Sequence, residues 1–150
     1  MDRFFMKLSL GYMSRKDELA VMARKNTADL LSELGCVVSE EEIKELKKEY
    51  HQVTVHDTVS GYMMDIIEMT RTHGDVLIGA STRGAMALYE ASQVRAAFNG
   101  RDYVLPEDGK ALAPVILAHR MTWRGMIAQK DSIAAFEKLV NQVPVPTEEK

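Results

Sequence analysis

The run from residue 79 to residue 100, GASTRGAMALYEASQVRAAFNG, constrains the fold of this chain more than any other segment. Ser81 can cap a helix at its start and Gly100 can end one, so the run predicts a long helix between them. Small or apolar residues occupy nearly every side of this helix. Because a helix of that composition is stable only when others surround it, we predict a mainly α-helical bundle with this helix buried at its centre.

Six other segments carry helix signals, namely a capping residue or proline at the start and apolar residues at helical spacing. They begin at Ser14, Asn26, Ser39, Asp57, Pro106 and Ser132. The helix capped by Asp57 has the clearest buried stripe, which comprises Val59, Tyr62, Met63, Ile66, Ile67 and Thr70. Val53 and Val55, just before it, indicate a short extended piece. Pro114 lies inside another of these helices and is expected to kink or restart it.

Residues 4–10, FFMKLSL, alternate between apolar and other residues in a way that is typical of a β-strand. Gly11 ends the segment. No partner strand is evident elsewhere in the sequence. Because an unpaired apolar strand leaves its backbone hydrogen-bonding groups open, we expect this strand to be disordered or to pair with another copy.

The composition excludes several classes of function. A net charge of −3 and basic residues scattered along the chain argue against binding to nucleic acid or to anionic membranes. Cys36 has no partner cysteine and the histidines form no helical H-x-x-x-H pair, so we predict no metal site. No apolar run approaches the roughly 20 residues that cross a bilayer. No signal peptide is evident either, and we expect a cytoplasmic protein.

No phosphate-binding loop of the form G-x-x-x-x-G-K-[ST] occurs, so we expect this chain by itself not to hydrolyse ATP. One local feature suits an anion. Arg83 falls in the first turn of the predicted central helix, where free backbone N–H groups carry partial positive charge. An arginine at such a place fits phosphate oxygens. On physical grounds alone, pairing of Arg83 with a carboxylate, or exposure to water, is the more common outcome.

The motifs around this helix resemble the sensor-2 region of MoxR-like AAA+ ATPases. The matching residues are Gly79 to Arg83, Gly100-Arg101-Asp102-Tyr103-Val104, Pro106-Glu107-Asp108 and His119-Arg120. Thr82 stands where the family usually has proline. The Asp-Arg-Phe element at residues 2–4 is similar to the family's segment after the ATPase core. The resemblance therefore covers nearly the whole chain.

The resemblance implies a domain organisation and roles for particular residues. Residues 14–146 would be a helical lid, residues 1–13 a remnant of the α/β ATPase core with its last strand, and residues 147–150 a frayed tail. Arg3 matches the arginine finger that such ATPases project into a neighbouring subunit's nucleotide site. Arg83 matches the sensor-2 arginine, and Ser81 and Thr82 are expected to bind nucleotide beside it.

The same resemblance implies cofactors and partners. ATP with Mg²⁺ would be bound in the full-length protein, whose core, with the phosphate loop, is expected to precede Met1. No cofactor is expected to bind tightly to the lid alone. The implied partners are the lid's own core domain, identical subunits in a ring, and a partner protein of the metal-binding-adhesion type. The implied activity is that of a chaperone-like motor.

A second interpretation remains open, which is a non-enzymatic helical adaptor that binds another protein through exposed methionine and leucine. The methionine count of 10 gives it some support, because methionine suits adaptable surfaces. However, Met63 and Met86 fall on predicted buried faces. Much of the methionine content is therefore assigned to the core.

Overall fold

A computed structural model describes residues 2–24, 34–125 and 131–146 of the chain. Within these residues there are six α-helices: α1 (Arg15–Arg24), α2 (Glu40–Glu49), α3 (Asp57–Thr72), α4 (Thr82–Phe98), α5 (Pro106–Leu117) and α6 (Asp131–Val140). The same residues contain two short strands, β1 (Val76–Ile78) and β2 (Thr122–Trp123). The predicted mainly α-helical class is confirmed. The short helix predicted from Asn26 and the tail at 147–150 fall on residues outside the described ranges.

The chain divides into two compact units, one formed by residues 8–46 and the other by residues 1–7 with 47–150. The smaller unit contains α1 and most of α2, and neither helix has a buried residue. At the start of α2 the Ser39 hydroxyl accepts from the Glu42 N–H at 3.2 Å, and the Glu42 carboxylate accepts from the Ser39 N–H at 2.7 Å. The predicted capping box is therefore confirmed. The Ser14 hydroxyl likewise accepts from the Asp17 N–H before α1.

The core lies in the larger unit, where α4 packs against α3 and α5, and α5 packs against α6. The predicted stripe of α3 is confirmed, and the buried residues are Val59, Tyr62, Met63, Ile66, Ile67 and Thr70. The residue that caps α3 is His56 and not Asp57. A ring nitrogen of His56 accepts from the Thr58 N–H at 3.3 Å. Asp57 becomes the first helical residue, where a carboxylate also suits the helix dipole.

The ends of α4 lie where the sequence predicts them. Ser81 is the capping residue, and Gly100 follows the helix with a φ of 69°, a conformation that favours glycine. The Gly100 N–H bonds to the Ala97 carbonyl at 2.9 Å and the Arg101 N–H to the Ala96 carbonyl at 3.0 Å. These two bonds form a Schellman ending, which satisfies carbonyls that the helix leaves open.

Burial of α4 is less complete than predicted. Its buried residues are Gly84, Ala87, Leu88, Ala91, Ser92, Gln93 and Ala96. Met86 is 61% exposed and Tyr89 39% exposed, so the prediction that Met86 is buried is wrong. Helices α3 and α5 pack against only part of the circumference of α4, which leaves these two side chains accessible.

Pro106 begins α5, as predicted, but Pro114 does not restart the helix. The helix runs through Pro114, which is buried, and ends at Leu117. Proline removes one backbone hydrogen bond from a helix, and burial of its apolar ring offsets part of that loss. A single turn of 3₁₀-helix, Ala118–Arg120, follows directly.

Strands β1 and β2 pair antiparallel, with Val76 opposite Trp123 and Ile78 opposite Thr122. The sequence does not reveal them, because strands of two and three residues are too short to show an alternating pattern. Thr54, within the predicted extended piece, forms an isolated parallel bridge with Tyr103.

The strand predicted over residues 4–10 is not formed, and this expectation is wrong. Residues 6–14 have no regular secondary structure. The Lys7 N–H donates to the Val115 carbonyl at 2.9 Å, so this backbone bonds to the end of a helix instead of to a strand. Met6 packs against the core. The backbone of Lys7 and the side chain of Met6 therefore contact the helical core in place of a partner strand.

Asp108 anchors the turn between α4 and α5. Its carboxylate accepts two hydrogen bonds from the Arg101 guanidinium, both at 2.8 Å, and one from the Leu105 N–H at 2.9 Å. Asp108 is only 3% exposed. Burial by itself raises the pKa of Asp108, but the bonds from Arg101 and Leu105 and the nearby positive charges outweigh it and lower the pKa.

We expect Asp108→Asn to lower the free energy of unfolding by about 2 kcal/mol at neutral pH, because a buried charged hydrogen-bond acceptor is lost. Since the pKa of Asp108 is lowered by folding, its stabilisation is present above the ordinary carboxyl pKa and is lost as pH falls through the lowered value. Chemical denaturation of the wild-type protein and of Asp108→Asn should therefore show a difference in the free energy of unfolding at neutral pH. That difference should disappear at acidic pH.

Asp102→Asn is the matched control, because Asp102 is in the same turn and exposed. It should change stability by no more than about 0.5 kcal/mol. Equal losses for the two variants, or a difference that persists in acid, would contradict the assignment of Asp108 as the anchor.

Candidate functional site

The loop that leads into α4 is fixed on the end of α3. A Cβ atom at Gly79 would lie 2.6 Å from the Thr70 carbonyl oxygen and 2.8 Å from the Arg71 Cα, so only glycine fits there. The Ala80 N–H donates to the Thr70 hydroxyl at 2.9 Å, and the Ala80 carbonyl accepts from the Arg71 Nε at 3.0 Å. Both polar backbone groups of Ala80 are thus held by α3, and the start of α4 has a defined position.

The predicted nucleotide-binding residues come together at this helix start. The Ser81 hydroxyl accepts from the Gly84 N–H at 3.4 Å, and Thr82 and Arg83 form the first turn. The side chains of Ser81, Thr82 and Arg83 are exposed. Across the described ranges no hydrogen bond or ion pair holds the Arg83 guanidinium. Free backbone N–H groups and an available guanidinium therefore share one small surface.

An acidic side chain from the start of the chain reaches this surface. The Ser81 hydroxyl donates to Asp2, with its Oγ 3.0 and 3.2 Å from the two carboxylate oxygens. Burial raises the pKa of Asp2, but hydrogen bonds from Ser81 and Arg120 and the charges of Arg120 and Arg83 outweigh it and hold the pKa below its usual value. The helix start therefore already stabilises one anionic group.

Arg120 holds Asp2 in place. Its Nη1 donates to the Asp2 carbonyl at 2.6 Å and to Asp2 Oδ1 at 3.1 Å. Its Nη2 donates to the carbonyls of Phe4 and Phe5 at 2.7 and 3.1 Å, and its Nε to the Ile116 carbonyl at 2.9 Å. Only 2% of the Arg120 side chain is exposed. Arg120 thus joins the end of α5 to the first residues of the chain.

Sequence reasoning identified part of this site. Arg3, the predicted arginine finger, is exposed and is flanked on both sides by residues that Arg120 binds. The roles of Asp2 and Arg120 were missed, although both belong to motifs that the sequence analysis singled out, Asp-Arg-Phe and His-Arg. Asp2 is negatively charged and Arg120 positively charged, and neither residue has an assigned partner in the sequence analysis. That pairing of opposite charges in two motifs was the available sign that they contact each other.

The described residues include neither a metal-binding cluster nor a membrane-spanning helix. In the part of the chain that the structure describes, no group of three or more histidine, cysteine, aspartate or glutamate residues is placed to hold a metal ion. None of the described helices combines the length and apolar character needed to cross a bilayer.

This chain matches one protein-family model and several related proteins. The family model of the AAA lid domain matches residues 68–142. YeaC of Bacillus subtilis is 38% identical over 121 residues, which is 81% of this chain and 38% of YeaC. The chaperone MoxR1 of Mycobacterium tuberculosis is 26% identical over 129 residues, 80% of this chain and 34% of MoxR1. The chain thus spans well under half the length of these relatives.

A solved structure supports the same relationship. The crystal structure of a candidate ATPase from Cytophaga hutchinsonii superposes with a TM-score of 0.80 at 30% identity, over 97% of this chain and 48% of that one. The protein MoxR of Methylorubrum extorquens is 49% identical over 43 residues, 29% of this chain and 12% of that protein. Together with the family model, which covers half of the chain, these matches show that the chain belongs to the AAA lid domain family, as a lid of the MoxR-like AAA+ ATPase type.

Proposed function

We propose that this chain works as the lid of a MoxR-like AAA+ ATPase and that Arg83 contacts the terminal phosphates of the bound nucleotide. The observation that carries the proposal is the exposed guanidinium of Arg83 in the first turn of α4, next to free backbone N–H groups. Ser81 and Thr82 lie beside it and would contact the same phosphates. Arg3 would act on the nucleotide site of a neighbouring subunit.

The electrostatics of the helix start support this role. The first turn of a long helix favours negative charge, because its N–H groups have no partners within the helix. The Asp2 carboxylate lies there, with its pKa held below the usual value in part by Arg83. A phosphoryl group would meet the same potential. It could also receive two parallel hydrogen bonds from the arginine, which strengthens the interaction.

The chemistry of hydrolysis would need parts that this chain does not contain. The sequence has no phosphate-binding loop, so ATP and Mg²⁺ would be held by an ATPase core that works with the lid. What the lid supplies is positive charge, placed where negative charge develops during phosphoryl transfer. We further propose that the longer protein forms a ring in the cytoplasm and acts as a chaperone-like motor, with a partner of the metal-binding-adhesion type.

Hydrogen–deuterium exchange of the AAA+ protein that contains this lid tests the proposal. The amide hydrogens of residues 82 and 83 should exchange more slowly when a non-hydrolysable ATP analogue is bound, because phosphate oxygens accept from them. The amides of residues 40 and 41, at the exposed start of α2, serve as the internal control. Equal exchange at residues 82 and 83 with and without nucleotide would exclude the proposed contact.

The adaptor interpretation has one observation in its favour. A cavity of about 270 Å³ lies at the surface between α3 and α4, lined by Ser60, Met63, Met64, Ala85, Met86, Tyr89 and Glu90. Methionine-rich surfaces suit protein partners. The exchange experiment separates the two functions, since an adaptor that does not bind nucleotide would show no response to ATP at α4.

A further inference from the structure

We propose that Asp2 and Arg120 are positioning residues for Arg3, and that they tie the arginine finger to the same helix start that carries Arg83. This inference rests on the proposed function. It adds a physical connection between Arg3 and Arg83. The connection is made by the buried guanidinium of Arg120 and the carboxylate of Asp2.

The first observation is that Arg120 binds the backbone on both sides of Arg3. The Asp2 carbonyl, which belongs to the peptide unit preceding Arg3, accepts from Arg120 at 2.6 Å, and the Phe4 carbonyl accepts from it at 2.7 Å. The His119 Nε2 lies 3.1 Å from the same Phe4 oxygen. The backbone around Arg3 is therefore fixed, while the Arg3 side chain is exposed. That combination suits a residue presented outward to another subunit.

The second observation is that the Asp2 side chain continues the connection to α4. Its carboxylate accepts from Arg120 at 3.1 Å and from the Ser81 hydroxyl at 3.0 Å. The Ser81 oxygen in turn accepts from the Gly84 N–H. An unbroken path of hydrogen bonds thus runs from the backbone of Arg3 to the first turn of α4, where Arg83 lies.

The third observation is that the packing of Arg120 leaves it little freedom. A Cβ atom at Gly84 would lie 3.4 Å from the Arg120 Cδ and 3.2 Å from the Leu117 Cδ2, so glycine makes room for the arginine stem. The Arg120 Nε is held by the Ile116 carbonyl. Arg120 therefore has one defined position against α4, and a rigid support of this kind lowers the cost of orienting a catalytic group.

The test is a double-mutant cycle that combines Asp2→Asn with Arg3→Ala in the AAA+ protein that contains this lid. Asparagine is chosen because it removes the charge of Asp2 and keeps the shape of the side chain. Asp2→Asn should lower kcat roughly tenfold with little change in KM, since misplacing a catalytic group mainly affects the reacting state. In the Arg3→Ala background, the same substitution should have no further effect on kcat. Asp65→Asn, an exposed carboxylate on α3, is the matched control and should leave kcat unchanged in both backgrounds.

Arg120→Lys gives a second, independent readout, because lysine keeps the charge but cannot reach the carbonyls of Asp2, Phe4 and Phe5 together. We expect it to lower kcat like Asp2→Asn, again only when Arg3 is present. Amide exchange over residues 3–7 should be faster in both variants. Thermal melting checks that each variant is folded.

The outcomes distinguish this inference from the function on which it rests. If Asp2→Asn lowers kcat by the same factor with and without Arg3, Asp2 acts independently of Arg3 and the inference is wrong. Normal turnover of Asp2→Asn, or unchanged exchange over residues 3–7, also overturns it. If Arg3→Ala itself has normal turnover, the proposed role of Arg3 fails and the inference fails with it.

Discussion

Arg3→Ala should lower the steady-state ATPase rate of the AAA+ protein by about a thousandfold, the lower end of what an arginine finger contributes. The reason is that, in the proposed function, the Arg3 guanidinium of the neighbouring subunit would stabilise charge on the transferring phosphoryl group. The exposed side chain of Arg3 on a fixed backbone supports this use. The effect should appear in kcat more than in nucleotide affinity, since the contact strengthens in the transition state.

A mixing experiment shows whether Arg3 acts between subunits. Arg3→Ala subunits retain an intact nucleotide site, whereas subunits with an inactivated phosphate loop retain Arg3. Each kind should be inactive alone. When the two kinds of subunit are mixed and allowed to exchange, the rings should regain activity. The subunits with an inactivated phosphate loop would then place their Arg3 in the intact nucleotide sites of the Arg3→Ala subunits. No recovery in rings shown to be mixed would contradict action in trans, and near-normal turnover of Arg3→Ala alone would remove it from the site.

Arg83→Ala should lower the ATPase rate roughly a hundredfold or more, which is typical for the loss of one preorganised donor. Lysine should not restore the rate, because it cannot donate two parallel hydrogen bonds to a phosphate. The stability of the lid should change by no more than about 0.5 kcal/mol, as for other exposed positions. Turnover assays and thermal melting of the same variants measure the two effects.

The matched control for this prediction is Arg124→Ala, since Arg124 is also an exposed arginine in the larger unit. It should leave both turnover and melting unchanged. A large loss of stability in Arg83→Ala would make Arg83 a structural residue. A loss of turnover shared with Arg124→Ala would point to net charge as the cause.

The parts of the fold that follow from local rules could be predicted from the sequence. The stripe of α3 and the Ser39 and Gly100 helix signals depend on residues within a few positions of one another, and the structure confirms them. Met86 was placed in the core because composition alone does not say which side of a helix its neighbours cover. Which side of α4 is covered depends on how many helices pack against it. That number is set by the fold of the whole chain and not by the sequence of α4 alone.

The start of the chain shows a different limit. Residues 4–10 have the alternation of a strand, but a strand also needs a neighbour, and here the Lys7 N–H bonds to the end of α5. The pair formed by Asp2 and Arg120 joins residues 118 positions apart. No periodicity reports such a contact. Only the motifs marked the two residues, and the geometry was needed to show that they meet beside Ser81.

The most direct test of the central claim compares the affinity of the AAA+ protein for ADP with that for ADP and aluminium fluoride, which mimics the transferring phosphoryl group. The wild-type protein should bind the mimic much more tightly than ADP. Arg83→Ala should lose about a hundredfold in affinity for the mimic and only a few-fold for ADP, because the lost contact is made chiefly in the transition state. Equal affinities of wild type and Arg83→Ala for the mimic would contradict the account, since Arg83 would then make no contact with the terminal phosphate.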